Sequence, residues 1–170
     1  MRAPSRLTDI DWEAWRPHDT ATLLFVLDGD RVLLIRKKRG LGAGKINAPG
    51  GRLEPDETPL AAAVREVEEE VCVTPFEIEA RGTLRFEFVD GYRLQAHVFV
   101  AGGYRGEPTE TDEAVPLWFA RSELPFSEMW ADDALWLPRV LGGEIVSGRF
   151  IFDGDAMLDH ELTSATVAPP

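Results

Sequence analysis

The sequence predicts an α+β domain, and three observations carry that expectation. Short β-prone runs meet around Asp-Gly turns at Asp28-Gly29-Asp30, Asp90-Gly91 and Asp153-Gly154. One stretch, residues 58–71, carries apolar residues at helical spacing. Strands and helices do not alternate in the strict βαβ order of a wholly parallel sheet.

Residues 1–20 read as a leader distinct from the rest of the chain. It holds Asp9, Asp11, Glu13 and Asp19 and no long apolar run, which argues against a signal peptide. Trp12 and Trp15 are three apart and can share one face of a short helix, so the leader is expected to dock as a clasp, with a partner-binding segment or a lid as the alternative. Residues 22–27 and 31–36 are the arms of the first hairpin, and 40–51, with five glycines, is a loop. Thr58 is placed to cap the following helix and Pro59 suits its first turn. A second hairpin joins 83–89 to 94–101, and 117–120 is a further short strand. Asp132 can cap a helix running to about Leu141 despite Pro138, and 145–152 with 156–162 form a closing hairpin. With no repeat and no long linker, residues 21–165 are expected to form one domain.

A chain of 170 residues with 44% hydrophobic content can bury a core of ordinary size. Its net charge of −12, from 30 acidic and 18 basic residues, argues against duplex nucleic acid, where Lys and Arg must neutralise phosphates. A small anionic substrate stays compatible, because a bound divalent cation reverses the local field. Cys72 is the one cysteine, so neither an internal disulfide nor a cysteine-based zinc cluster is expected. Apolar runs such as 23–27 are too short to span a bilayer. A soluble cytoplasmic protein, without membrane or nucleic-acid partners and monomeric rather than oligomeric, is the expectation.

On the helix, Leu60, Val64, Val67 and Val71 form one apolar stripe. At the helical angle per residue, Glu66, Glu69 and Glu70 cluster roughly 140° away from it. Three neighbouring carboxylates are either a solvated acidic face or the oxygen-rich set that Mg²⁺ requires. Gly50-Gly51 stands just before, where the absence of Cβ atoms lets backbone N–H groups approach phosphate oxygens. The whole run is Gly51, five residues, Glu57, seven residues, then Arg65-Glu66-Val67-Glu68-Glu69-Glu70-Val71-Cys72-Val73.

This pattern resembles the Nudix box, from which it departs only at Cys72, where the family has glycine. The resemblance implies a mixed β-sheet sandwiched between α-helices and Mg²⁺-dependent phosphoanhydride hydrolysis, with Mn²⁺ as a substitute cofactor. It implies that Gly50, Glu66, Glu69, Glu70 and Glu113 hold the metal and that Arg65 pairs with Glu57 to fix the loop on the helix. Glu70 is the first candidate to orient or deprotonate the attacking water, and Glu113 the second.

The similarity extends beyond the box and is greatest to the MutT-homologue oxidised-purine nucleoside triphosphatases. It rests on residues 37–45 with Asn47, on Phe86-Glu87-Phe88, on 110–113, and on 125–133. It implies Thr22, Lys37, Asn47, Gly50, Gly51, Phe86, Phe88, Trp130, Asp132 and Asp133 at the substrate. Trp130 offers a flat face to a purine, Asn47 a donor and an acceptor together, and two adjacent carboxyl groups resist double ionisation, so that one donates while the other accepts. Leu41 stands where the relative has an aromatic, which lowers one wall, and Pro49 stiffens the loop. The expected reaction is hydrolysis of oxidised purine nucleoside triphosphates such as 8-oxo-dGTP and 2-oxo-dATP to monophosphate and pyrophosphate. The alternatives are another nucleoside-diphosphate-linked substrate such as ADP-ribose, and a catalytically silent nucleotide-binding regulator.

Overall fold

Eight strands and two α-helices are laid out over residues 2–166, the part of the chain that the computed structural model describes. The strands are β1 (Asp19–Asp28), β2 (Arg31–Lys37), β3 (Ile46–Asn47), β4 (Thr74–Phe88), β5 (Arg93–Arg105), β6 (Ala114–Ala120), β7 (Glu144–Asp153) and β8 (Ala156–Thr166). The helices are α1 (Pro59–Val71) and α2 (Asp133–Leu141). The sheet runs β3-β2-β1-β5-β4-β7-β8, with β6 also paired to β2. Two of its pairings, β1 with β5 and β4 with β7, are parallel and the others antiparallel, so the sheet is mixed.

Alternation of side chains along the strands gives the sheet two apolar faces, and each takes one helix. Phe25, Val32, Leu34, Leu84, Val98 and Phe150 pack with Trp136, Leu137 and Val140 of α2. Leu24, Val26, Leu33, Ile35 and Phe99 pack with Ala63, Val67 and Val71 of α1. The sandwich that the motif implied is therefore the architecture. No helix among the described residues is long and apolar enough to cross a membrane.

α1 begins as expected: Thr58 Oγ1 accepts the Ala61 N–H at 3.2 Å, with Pro59 in the first turn. Its buried face differs from the expected stripe. Leu60 is 48% exposed, whereas Ala62, Ala63, Val67, Glu70 and Val71 are buried. The small Ala63 lets the helix lie close to the sheet, which turns the contact face toward Glu70 and brings that carboxylate inside.

The helix ends on Cys72 at φ 64°, ψ 25°, the left-handed conformation usual for a terminating glycine, and its N–H reaches Glu68 O at 3.0 Å. A Cβ is disfavoured in that region by about 1 kcal/mol. Cys72→Gly is accordingly expected to raise the melting temperature by about 2–4 °C in a chain of this size. An unchanged or lowered melting temperature would show that no strain is stored there.

Several elements run further than the sequence suggested. β4 starts at Thr74, through the charged residues Glu77, Glu79 and Arg81, and accommodates them with a register shift between Ala80 and Gly82. The glycine-rich loop contains the two-residue strand β3, and β1 begins at Asp19, inside the expected leader. The rest of the leader makes a 3₁₀ turn at Leu7–Asp9 rather than a helix through the two tryptophans. Trp12 and Trp15 still meet, at 5.7 Å between ring centroids.

Candidate active site

The loop before α1 is held against β1 by backbone pairing. Thr22 N–H bonds Gly51 O at 2.9 Å and Leu24 N–H bonds Pro49 O at 3.0 Å. That closeness dictates Gly50, whereas a side chain at Gly51 would have to displace the Glu66 carboxylate. A Cβ on Gly50 would lie 1.8 Å from Thr22 O, and one on Gly51 would lie 2.5 Å from the Glu66 carboxylate. The Gly50 N–H, expected to be free for a phosphate, donates instead to Glu70 Oε1 at 3.1 Å.

Arg65 clamps this loop to the helix. Its Nε and Nη2 donate to the two oxygens of Glu57 at 2.7 and 2.8 Å, and Nη2 also reaches Arg52 O at 3.1 Å. The paired guanidinium holds Glu57 down at about 2, so the clamp stays charged at any working pH. Arg65 Nη1 continues to Glu66 Oε1 at 2.9 Å and Glu69 Oε2 at 3.1 Å.

Of the carboxylates expected to gather, Glu66, Glu70 and Glu113 do so, with oxygens within 4.8 Å of one another. Glu69 stands outside this cluster; it is exposed and turned toward Arg65. Glu113 arrives from the segment before β6, where Thr111 Oγ1 donates to Glu70 O at 2.7 Å and so ties that segment to the end of α1. Thr111 falls within the 110–113 run that carries the resemblance, but no role was expected of it. Glu113 pairs with Arg39 at 2.8 Å. Burial raises Glu66 and pushes Glu70, 3% exposed, up to about 8. Three hard oxygen donors, two of them destabilised as anions, form a set that suits a hard divalent cation.

From this cluster a cavity of about 300 Å³ runs to the aromatic residues beyond. Every residue expected at the substrate lines it: Thr22, Lys37, Asn47, Gly50, Gly51, Phe86, Phe88, Trp130, Asp132 and Asp133. Lys37 Nζ is held by Leu41 O at 3.0 Å, and the Leu41 side chain, 44% exposed, sits at the rim. Asn47 Oδ1 accepts the Ala48 N–H at 2.8 Å, which leaves its amide N–H₂ as the donor it can present. Trp130 meets Phe88 and Phe152 edge-on, at 6.3 and 5.6 Å.

Asp132 occupies the N-cap position of α2, but its side chain makes no cap bond; Oδ2 takes the Trp136 indole N–H at 2.7 Å instead. Burial pushes Asp132 up to about 6. Burial and the adjacent Asp132 charge push Asp133 well above the usual carboxylate range. Asp133 Oδ2 and Thr22 Oγ1 are both buried without a hydrogen-bond partner among the described residues. Unpaired buried polar atoms lining a cavity are where a polar ligand is expected to bind.

Cavity residues that sequence reasoning missed include Tyr92, Trp136 and Phe152. Phe150 and Phe152 sit two apart on β7, a period-two signal that reads as core until the neighbouring strand is known.

The NUDIX domain model matches residues 16–140. The chain is 45% identical over 143 residues to the oxidized purine nucleoside triphosphate hydrolase of Danio rerio, covering 83% of this chain and 92% of that protein. It is 40% identical to the Mus musculus protein of the same name, with the same coverage. Among solved structures, the MutT protein of Bacillus halodurans superposes with a TM-score of 0.75 at 27% identity, over 85% of this chain and 97% of that one.

Proposed function

The chain belongs to the NUDIX family, and from that premise we propose that it hydrolyses oxidised purine nucleoside triphosphates to monophosphate and pyrophosphate. The observation that carries this reading is one cavity with two chemically different ends. At one end are Glu66, Glu70 and Glu113 with Lys37; at the other, Trp130, Phe86 and Phe88 surround Asn47, Asp132 and Asp133. A triphosphate fits the first and a purine the second. The two relatives that match over most of the chain carry an oxidised-purine activity in their names.

Glu66, Glu70 and Glu113 would hold a hard divalent cation such as Mg²⁺, with Glu69 joining them if it leaves Arg65. When bound, the cation neutralises charge on the phosphoryl oxygens and polarises the attacking water. The protein's own part is positioning. Arg65 and Glu57 lock the loop, Lys37 supplies positive charge beside the phosphates, and a carboxylate of the cluster, Glu70 before Glu113, orients the water or takes its proton. The enzyme would act on free nucleotides, and we propose a cytoplasmic location and a monomeric state for it.

Steady-state hydrolysis of 8-oxo-dGTP, 2-oxo-dATP, dGTP and ADP-ribose side by side with Mg²⁺ tests the reading. The expected order of kcat/KM places the oxidised nucleotides first. ADP-ribose at the head would assign the cavity to a different substrate, and no turnover of any of the four would leave a nucleotide-binding role.

A further inference from the structure

The leader is fastened to the back of the strand that builds the cavity wall. Along β4, Phe86 and Phe88 face the cavity, and Glu87 between them points to the opposite side. Glu87 is only 5% exposed, and its Oε2 accepts the Trp15 indole N–H at 2.8 Å and the Arg93 Nε–H at 3.0 Å. Trp15 is itself 4% exposed, with Trp12 beside it and the Arg85 guanidinium 5.8 Å from its ring centroid. The front of the leader is anchored where Leu7 N–H donates to Asp159 Oδ2 at 2.8 Å.

A second fastening lies three residues further along. His18 and Arg93 exchange two hydrogen bonds, His18 N–H to Arg93 O at 2.9 Å and Arg93 N–H to His18 Nδ1 at 3.1 Å. The His18 ring stacks on Tyr92 at 6.2 Å with a 12° interplanar angle. Tyr92 lines the cavity and donates its hydroxyl to Asp19 Oδ2 at 2.8 Å. Among the described residues no hydrogen bond joins residues 2–18 to Glu66, Glu70, Glu113 or Arg65.

We infer that the leader is a positioning element for the base end of the cavity, with Trp15 acting through Glu87 and His18 through Tyr92 to set the aromatic wall from behind. The inference rests on the proposal that a purine occupies that end. Its physical basis is the buried Glu87 carboxylate, which needs both donors. Without the indole N–H only Arg93, 41% exposed at its side chain, remains, and water must enter behind Phe86 and Phe88. Loosening that wall costs affinity for the base and leaves the carboxylate cluster untouched.

The test uses the full chain carrying Trp15→Ala or Trp15→Phe. Binding of 8-oxo-dGMP and dGMP is followed by calorimetry, and kcat and KM are measured on 8-oxo-dGTP. Trp15→Ala is expected to raise Kd and KM about tenfold, within the range for a displaced binding element, with kcat within about twofold of wild type. Trp15→Phe, which keeps a ring but no N–H, should fall between. A lowered melting temperature with unchanged Kd and KM would reduce the leader to a stabilising strap and overturn the inference. If Trp15→Ala does not fold, the exposed His18→Ala reads the same coupling through Tyr92, with a Kd raised about threefold expected and an unchanged Kd decisive against. Should the wild type neither bind these monophosphates nor turn over 8-oxo-dGTP, the functional reading fails. Amide exchange across 86–92 then separates the two failures: equal exchange in Trp15→Ala overturns the leader's hold on the wall itself, whereas faster exchange with α1 unaffected keeps that hold and overturns only its service to a purine.

Discussion

Glu70→Gln is expected to lower kcat by at least ~10²-fold, the scale of losing a positioned acid–base or metal-holding group. Glu70 is the most buried of the three gathered carboxylates and takes the Gly50 N–H at 3.1 Å, so it links the loop, the helix and the cluster. The amide is the same size and retains an oxygen for that N–H, and the contacts of Ala63, Val67 and Val71 with the sheet are unaltered. The melting temperature should therefore hold while turnover collapses, and removal of divalent cation should have the same effect on wild type. Near-full turnover by Glu70→Gln under saturating Mg²⁺ would place the chemistry elsewhere. Glu69→Gln asks a separate question, because Glu69 lies on Arg65 Nη1 at 3.1 Å, outside the cluster. A loss as large as that of Glu70→Gln means that Glu69 leaves Arg65 to join the metal; a small loss means that it only steadies the clamp.

How much of the fold and site was legible in the chain depends on which interactions are local. The Thr58 cap and the α1 limits depend on residues within a turn or two, and sequence spacing reports them, whereas the Arg65–Glu57 pair was legible only through the resemblance to the Nudix box. The burial of Glu70 was not legible, because helical angles alone put it on a polar face; Ala63 and the tight approach of Gly50 to β1 bring it inside. The same holds for Phe152, Tyr92 and Thr111, whose placement needs the pairing of strands distant in sequence. The leader shows the opposite case. Its two tryptophans stood out at once, but their partners Glu87 and Arg149 lie more than seventy residues away.

Base choice should be set by Asp132 and Asp133, and kcat/KM for 8-oxo-dGTP is expected to exceed that for dGTP at least ~10-fold, or about 1.4 kcal/mol. The oxidised base carries a proton on N7 where guanine has a lone pair, so a carboxylate there accepts from one and repels the other. The two aspartates are unequal in the way this requires. The Trp136 N–H at 2.7 Å favours ionised Asp132, which burial pushes only to about 6, whereas Asp133 is held protonated by burial and by its neighbour's charge. Neutral Asp133 can then donate to the O6 carbonyl. Sites that hydrogen-bond a substrate group discriminate against analogues lacking it, because buried polar atoms are left unpaired. The low wall at Leu41 is the reason for expecting tenfold and not more. Asp132→Asn should shrink the ratio, since its amide can turn a donor toward N7–H, and Trp130→Ala should weaken binding of every purine. The raised Asp132 sets the sign of the pH dependence: below about 6 it takes up a proton and loses its acceptor character, so the preference should fall as the medium is acidified through that value. Equal rates on 8-oxo-dGTP and dGTP, together with a ratio unmoved in Asp132→Asn, would leave a NUDIX hydrolase without an oxidised-base preference.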